Sequence, residues 1–167
     1  ERGLIFDEDV AMLLPGKRNY ILLSIFDFLY LFAWSATMAF FVIWTTQHLG
    51  ISATQTGLLY ATNAFIALLM QPFFGFISDK FGLKKQLIWI ILALLLPVGP
   101  FFIYVYAPLL VHSFWLGAIL GGIYLGIIFN SGCGVIDSYI DKISRRYSFE
   151  YGRVRMWGSL GWAAAAW

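Results

Sequence analysis

Four long apolar runs dominate the chain: Tyr20–Thr46, Gly57–Ile77, Gln86–Tyr106 and Phe114–Ile140. A fifth opens at Val154 and reaches Trp167. A helix rising 1.5 Å per residue needs about 20 apolar residues to cross ~30 Å of hydrocarbon, and each of the first four is long enough. Strands of ~10 residues alternating polar and apolar are missing, so a β-barrel is excluded. Composition agrees. Hydrophobic residues make up 60% of the 167 and charged residues only 12%, where a soluble domain carries roughly 25% charge. A water-soluble domain and a disordered chain are excluded on that ground, and the single cysteine, Cys133, excludes a disulfide scaffold. The expected class is all-α: a polytopic transmembrane helical bundle.

The net charge is only +2, and its placement says more than its sum. The 11 Lys and Arg residues fall before the first run (Arg2, Lys17, Arg18), between the second and third (Lys80, Lys84, Lys85) and between the fourth and fifth (Lys142, Arg145, Arg146, Arg153, Arg155). If every run spans, those places share one side, and the positive-inside rule makes it cytoplasmic. His48 and His112 then lie outside. Trp44, Tyr104, Tyr106 and Trp115 are expected near the outer interface, and Tyr20 and Trp89 near the inner one. Without a basic stripe on a soluble fold, nucleic acid is not an expected partner. Residues 1–18 lack the order of a secretory signal and read as a polar cytoplasmic leader, with a disordered tail as the plain expectation. Residues 19–167 read as the membrane part, cut short in its fifth helix.

Small residues mark where helices meet. Gly117, Gly121, Gly122 and Gly126 recur in the fourth run, and Gly158 and Gly161 in the fifth; glycines at this spacing let backbones approach closely in lipid. Two acids, Asp27 and Asp137, interrupt apolar runs, where a carboxylate costs about 2.5–3.5 kcal/mol on insertion scales. Such a group faces a cavity or pairs with a cation. Helical spacing places Asn130, Cys133 and Asp137 on one face, and Arg155, Ser159 and Trp162 on another. A carboxylate, a guanidinium and an indole together suit a sugar, whose hydroxyls need both donors and acceptors. The same residues also suit a structural ion pair near the interface. Asp27 receives no role from the sequence and is expected close to the cytoplasmic surface.

Between the second and third runs the chain reads Gly75-Phe-Ile-Ser-Asp79-Lys80-Phe-Gly82-Leu83-Lys84-Lys85. This resembles the loop 2–3 signature of the major facilitator superfamily, with Leu83 as an extra residue before the paired lysines. Gly75 would permit tight helix contact and Gly82 a sharp turn. The stretch from Asp137 through Asp141-Lys142, Arg145-Arg146, Phe149-Glu150-Tyr151-Gly152-Arg153 and Arg155 to Gly158, Gly161 and Trp162 resembles helices IV and V of the oligosaccharide:proton symporters, the lactose, raffinose and sucrose permeases. Pro72-Phe73-Phe74-Gly75, Pro100-Phe101-Phe102-Ile103-Tyr104 and Gly121-Gly122-Ile123-Tyr124-Leu125-Gly126 are similar too. The resemblance runs from about Arg18 to the end.

What it implies is a major facilitator fold and, for the full protein, sugar import coupled to protons by alternating access. The family's acid on helix IV and arginine on helix V, which hold sugar hydroxyls, match Asp137 and Arg155. Its stacking tryptophan matches Trp162. The first of these resembles the sucrose type in being Asp, while the tryptophan resembles the lactose type, so the choice of sugar stays open. Gly75, Asp79, Lys80, Gly82, Lys84 and Lys85 match the motif that serves the conformational cycle. The family's proton-carrying residues lie in a second set of six helices, so the implied partners are a small sugar, protons, the lipid bilayer and the missing C-terminal half. Two other readings stay open: a facilitator for another solute, and a membrane sugar sensor. No cofactor, metal site or enzymatic activity is expected.

Overall fold

The computed structural model describes residues 2–81 and 86–167, with residues 2–14, 78, 79 and 81 given by backbone alone. Among the described residues all regular structure is helical. Helix α1 covers Arg2–Ile43 and continues as a π-helical turn, Trp44–His48. Helix α2 is Ala53–Phe81. Three shorter helices follow, α3 (Gln86–Leu95), α4 (Val98–Phe101) and α5 (Ala107–His112), with a π-turn at Phe102–Tyr106. Helices α6 (Phe114–Leu125) and α7 (Gly132–Arg146) are joined by a third π-turn, Gly126–Ser131. Helix α8 is Tyr151–Ala166.

Among the described residues, three stretches are long and apolar enough to span a membrane by themselves: Pro15–His48, Ala53–Ile77 and Phe114–Arg146. A fourth is broken. Gln86–Leu95 and Val98–His112 meet at 49°, because Pro97 cannot donate to the preceding turn and its ring clashes with the backbone there. The backbone differs from the expected leader in being helical from Arg2 onward. No glycine or proline separates Leu4 from Leu14, so nothing local interrupts the helix before Pro15.

The chain divides into two units, one formed by the segments up to Met38 and from Asp137 to Trp167, the other by Ala39–Ile136. In the second unit, α2 starts with a capping box. The Ser52 hydroxyl accepts from the Gln55 amide at 3.2 Å, and Gln55 Oε1 accepts from the Ser52 amide at 3.2 Å, satisfying two donors that a helix start leaves open. Gly50 precedes it at φ +66°, a conformation that favours glycine. Further on, a methyl group at Gly117 would collide with Leu110, at Gly121 with the Tyr106 ring and at Gly122 with Ile66. Those glycines therefore do what their spacing suggested. Tyr106 is buried to 2% exposure among Phe41, Trp44, Phe101 and Phe102, and so is a core residue rather than part of an interfacial belt. Tyr104, Trp115 and Trp89 are exposed, as belt residues would be. Large side chains such as Phe40, Phe65, Leu68, Phe73 and Phe76 also stand exposed, which suits a hydrocarbon surround.

In the first unit, α1 and α8 pack tightly. A methyl at Gly161 would overlap the Phe28 backbone, and one at Gly158 would overlap the Asp27 carboxylate and Leu31. Ser35 donates to the Trp162 carbonyl at 3.0 Å. The turn before α8 places Ser148 at φ 54°, and Arg153 pairs with Glu150 at 2.8 Å in the open, where such a pair contributes little.

Candidate functional site: a guanidinium between two carboxylates

The site lies in the first unit and draws on three helices. Tyr151, Arg155, Gly158 and Trp162 fall three to four residues apart on α8, so they form one stripe. On α1 the matching stripe is Ser24, Asp27, Leu31 and Ser35, all buried. Helix α7 supplies Asp137. Because α8 carries glycine at 158 and 161, its axis comes close enough to α1 for charged groups to meet.

Arg155 stands between two acids. Its Nε lies 3.4 Å from Asp137 Oδ1, and its Nη1 lies 3.8 Å from Asp27 Oδ2. Asp27 is sealed, with its side chain 2% exposed, whereas Asp137 and Arg155 keep 28% and 32%. The pair that can reach a solute is therefore Asp137–Arg155. Tyr151, which precedes the fifth apolar run, hydrogen-bonds through its phenol to Asp137. Burial, then the Asp137 charge and that hydrogen bond, push this phenol up to about 12, so it stays protonated and donates. Trp162 keeps 39% exposure and meets Trp34 edge to face, with ring centroids 5.2 Å apart. It lies seven residues beyond Arg155, about 10 Å along the helix axis.

Asp137, Arg155 and Trp162 are thus brought into one unit and left partly open. Ser159, expected on the same face, turns back to donate to the Arg155 carbonyl at 3.4 Å and stays exposed. Asn130 and Cys133 are half-buried and belong to the other unit. Gly75 and Lys80 lie exposed on α2. A β-carbon at Gly75 would meet nothing within 4 Å, so the tight contact expected there is not made among the described residues. The Asp79 side chain and Gly82, Lys84 and Lys85 lie outside the described residues.

Sequence reasoning missed Asp27 and Tyr151. The periodic polar residues Ser24, Asp27 and Ser35 were the available signal for an inward stripe on α1. Distance from the start of the apolar run, which begins well after α1 does, instead places Asp27 near the cytoplasmic surface.

Several helices long and apolar enough to span a membrane define a multi-pass membrane protein, with a cluster of charges packed in its first unit. Comparison with known proteins narrows this. Residues 13–167 match the family described as LacY proton/sugar symporter. The melibiose permease of Enterobacter cloacae subsp. cloacae is 45% identical over 148 residues, covering 89% of this chain and 35% of the relative. The sucrose permease of Escherichia coli is 42% identical over 158 residues, covering 94% and 38%. The lactose permease of Citrobacter freundii is 50% identical over 131 residues, covering 78% and 32%. The chain belongs to the LacY proton/sugar symporter family, an all-α transmembrane family of major facilitator fold. It spans about a third of the length of these relatives.

Proposed function

We propose that this chain is the N-terminal part of a disaccharide or oligosaccharide:proton symporter that imports sugar by alternating access. The single observation that carries the reading is the partly open Asp137–Arg155 pair, 3.4 Å apart, on a chain of this family. A guanidinium offers several donors in fixed geometry, and a carboxylate accepts two or more. Together they hold adjacent hydroxyls of one sugar. Trp162 presents an indole on the same helix stripe for the apolar face of the ring. The names of the relatives, permeases for melibiose, sucrose, raffinose and lactose, support this substrate class. Residues 1–18 form the cytoplasmic leader and 19–167 the membrane part, with the N terminus in the cytoplasm and the protein in the cytoplasmic membrane. The distribution of Lys and Arg supports that orientation. The remaining helices complete the cavity and carry the proton-coupling groups. Gly75, Asp79, Lys80, Gly82, Lys84 and Lys85 serve the change between inward and outward states. The activity is transport, without cofactor or enzymatic step.

The test uses the complete transporter in de-energised cells. Sucrose, lactose, raffinose and melibiose are added separately while external pH is followed. Alkalinisation with one sugar is the expected outcome and names the substrate class. No alkalinisation with any of the four, given verified expression, removes the symporter reading.

A further inference from the structure

Asp27 takes no part in the sugar contacts proposed above, yet it sits beside the group that makes them. Its side chain is 2% exposed and its Oδ2 lies 3.8 Å from Arg155 Nη1. No hydrogen bond reaches that oxygen among the described residues. Hydrogen-bonded ion pairs usually close to about 2.7–2.9 Å, so the Asp27 seat is filled only loosely. Around it stand Leu31 of its own helix and the bare backbone of Gly158, neither of which offers a side-chain donor.

The charges do not balance. Among the described residues, the ionisable groups facing Asp27 are Arg155 and Tyr151 of α8 and Asp137 of α7. Tyr151 stays neutral. With both carboxylates ionised the cluster carries one negative charge in excess, inside a span where an uncompensated charge is costly. The least costly correction is one proton. Asp27 is the place for it, being sealed, the farther of the two acids from the guanidinium, and without a hydrogen bond to its Oδ2 among the described residues.

We infer that Asp27 is a proton-dependent second seat for Arg155. Ionised, it draws the guanidinium towards α1 and away from the sugar. Protonated by hydronium or water-borne protons, it releases Arg155 to Asp137 and to a sugar hydroxyl. The inference rests on Asp137 and Arg155 being sugar ligands. The sign follows from linkage: lower pH protonates Asp27 and strengthens sugar binding, and bound sugar raises the proton affinity of Asp27 by the same factor. Asp27 is a positioning residue, acting on the sugar through Arg155.

The experiment is equilibrium binding of melibiose, sucrose, raffinose or lactose to the purified complete transporter, from ~pH 5 to ~pH 9, the range in which a buried carboxyl can titrate. The wild type is compared with Asp27→Asn and Asp27→Leu, and folding is followed by thermal unfolding. In the wild type, affinity is expected to fall by up to about tenfold per pH unit over part of the range, the limit for one linked proton. Both neutral variants are expected to lose one proton's worth of that slope and to bind at least about tenfold more tightly than wild type at the upper end. A neutral variant with the wild-type slope overturns the inference. So does a folded variant that has lost sugar at every pH, and so does the loss of folded protein in both variants, which would make Asp27 a purely structural anion. Failure of the wild type to bind any of the four sugars instead overturns the proposed function beneath it.

Discussion

At the scale of single residues, everything turns on Arg155. Its guanidinium is shared by acids from two other helices, one sealed and one open. Removing either member of the open pair takes away charge-assisted hydrogen bonds to the sugar, each worth about 1.5–3 kcal/mol. Asp137→Asn and Arg155→Ala are therefore expected to weaken sugar binding by a hundredfold or more in the complete transporter. Unchanged affinity in either variant, measured by equilibrium binding, would sink the assignment. That Asp137, Arg155 and Trp162 are proposed as the site rests on each resembling a family position and on two of them sharing a helical stripe. Asp27 was not legible in the sequence. Its meaning depends on where α1 meets α8, and a sequence shows the spacing within each helix but not which residue of one faces which residue of the other.

At the scale of elements, glycine placement decides which helices touch. Gly161 faces the Phe28 backbone so closely that no side chain fits between them. Gly161→Val must push α8 off α1 and should destabilise the protein by about 1–3 kcal/mol, read as a lower unfolding temperature in detergent. A thermal midpoint equal to wild type would show that α8 does not depend on this contact. The capping box of α2 offers a milder test. Ser52→Ala removes the acceptor for the Gln55 amide and should cost about 1 kcal/mol, with sugar affinity unchanged. The four spanning runs and the stripes of glycine were readable from composition and period alone. The break at Pro97 was readable only as two prolines near a helix end. The π-turns were not readable at all, since the residues of Gly126–Ser131 do not differ in kind from those of an ordinary apolar helix.

At the scale of the whole molecule, the proposed function assigns sugar binding and the conformational cycle to different parts of the chain. Gly75 has open space around it, so Gly75→Val should leave folding intact. If its motif serves the change of state, the same variant, and Asp79→Asn with it, should slow transport severalfold while sugar affinity holds. Counterflow rates set against binding constants separate the two effects, and a large loss of affinity would place the loop in the site itself. Family and fold were legible here because apolar length and basic loops are properties of long stretches, which averaging strengthens. The expected belt role of Tyr106 failed for the opposite reason: one residue's facing depends on the local π-turn that carries it. The contact between Asp27 and Gly158 also orders history. No side chain at 158 can coexist with the carboxylate as placed. With Asp27 in this position, a side chain at 158 must displace the carboxylate or Leu31, so the acid is accommodated most readily where 158 is already glycine. Ancestral reconstructions of the two positions should therefore show glycine at 158 wherever the acid stands at 27.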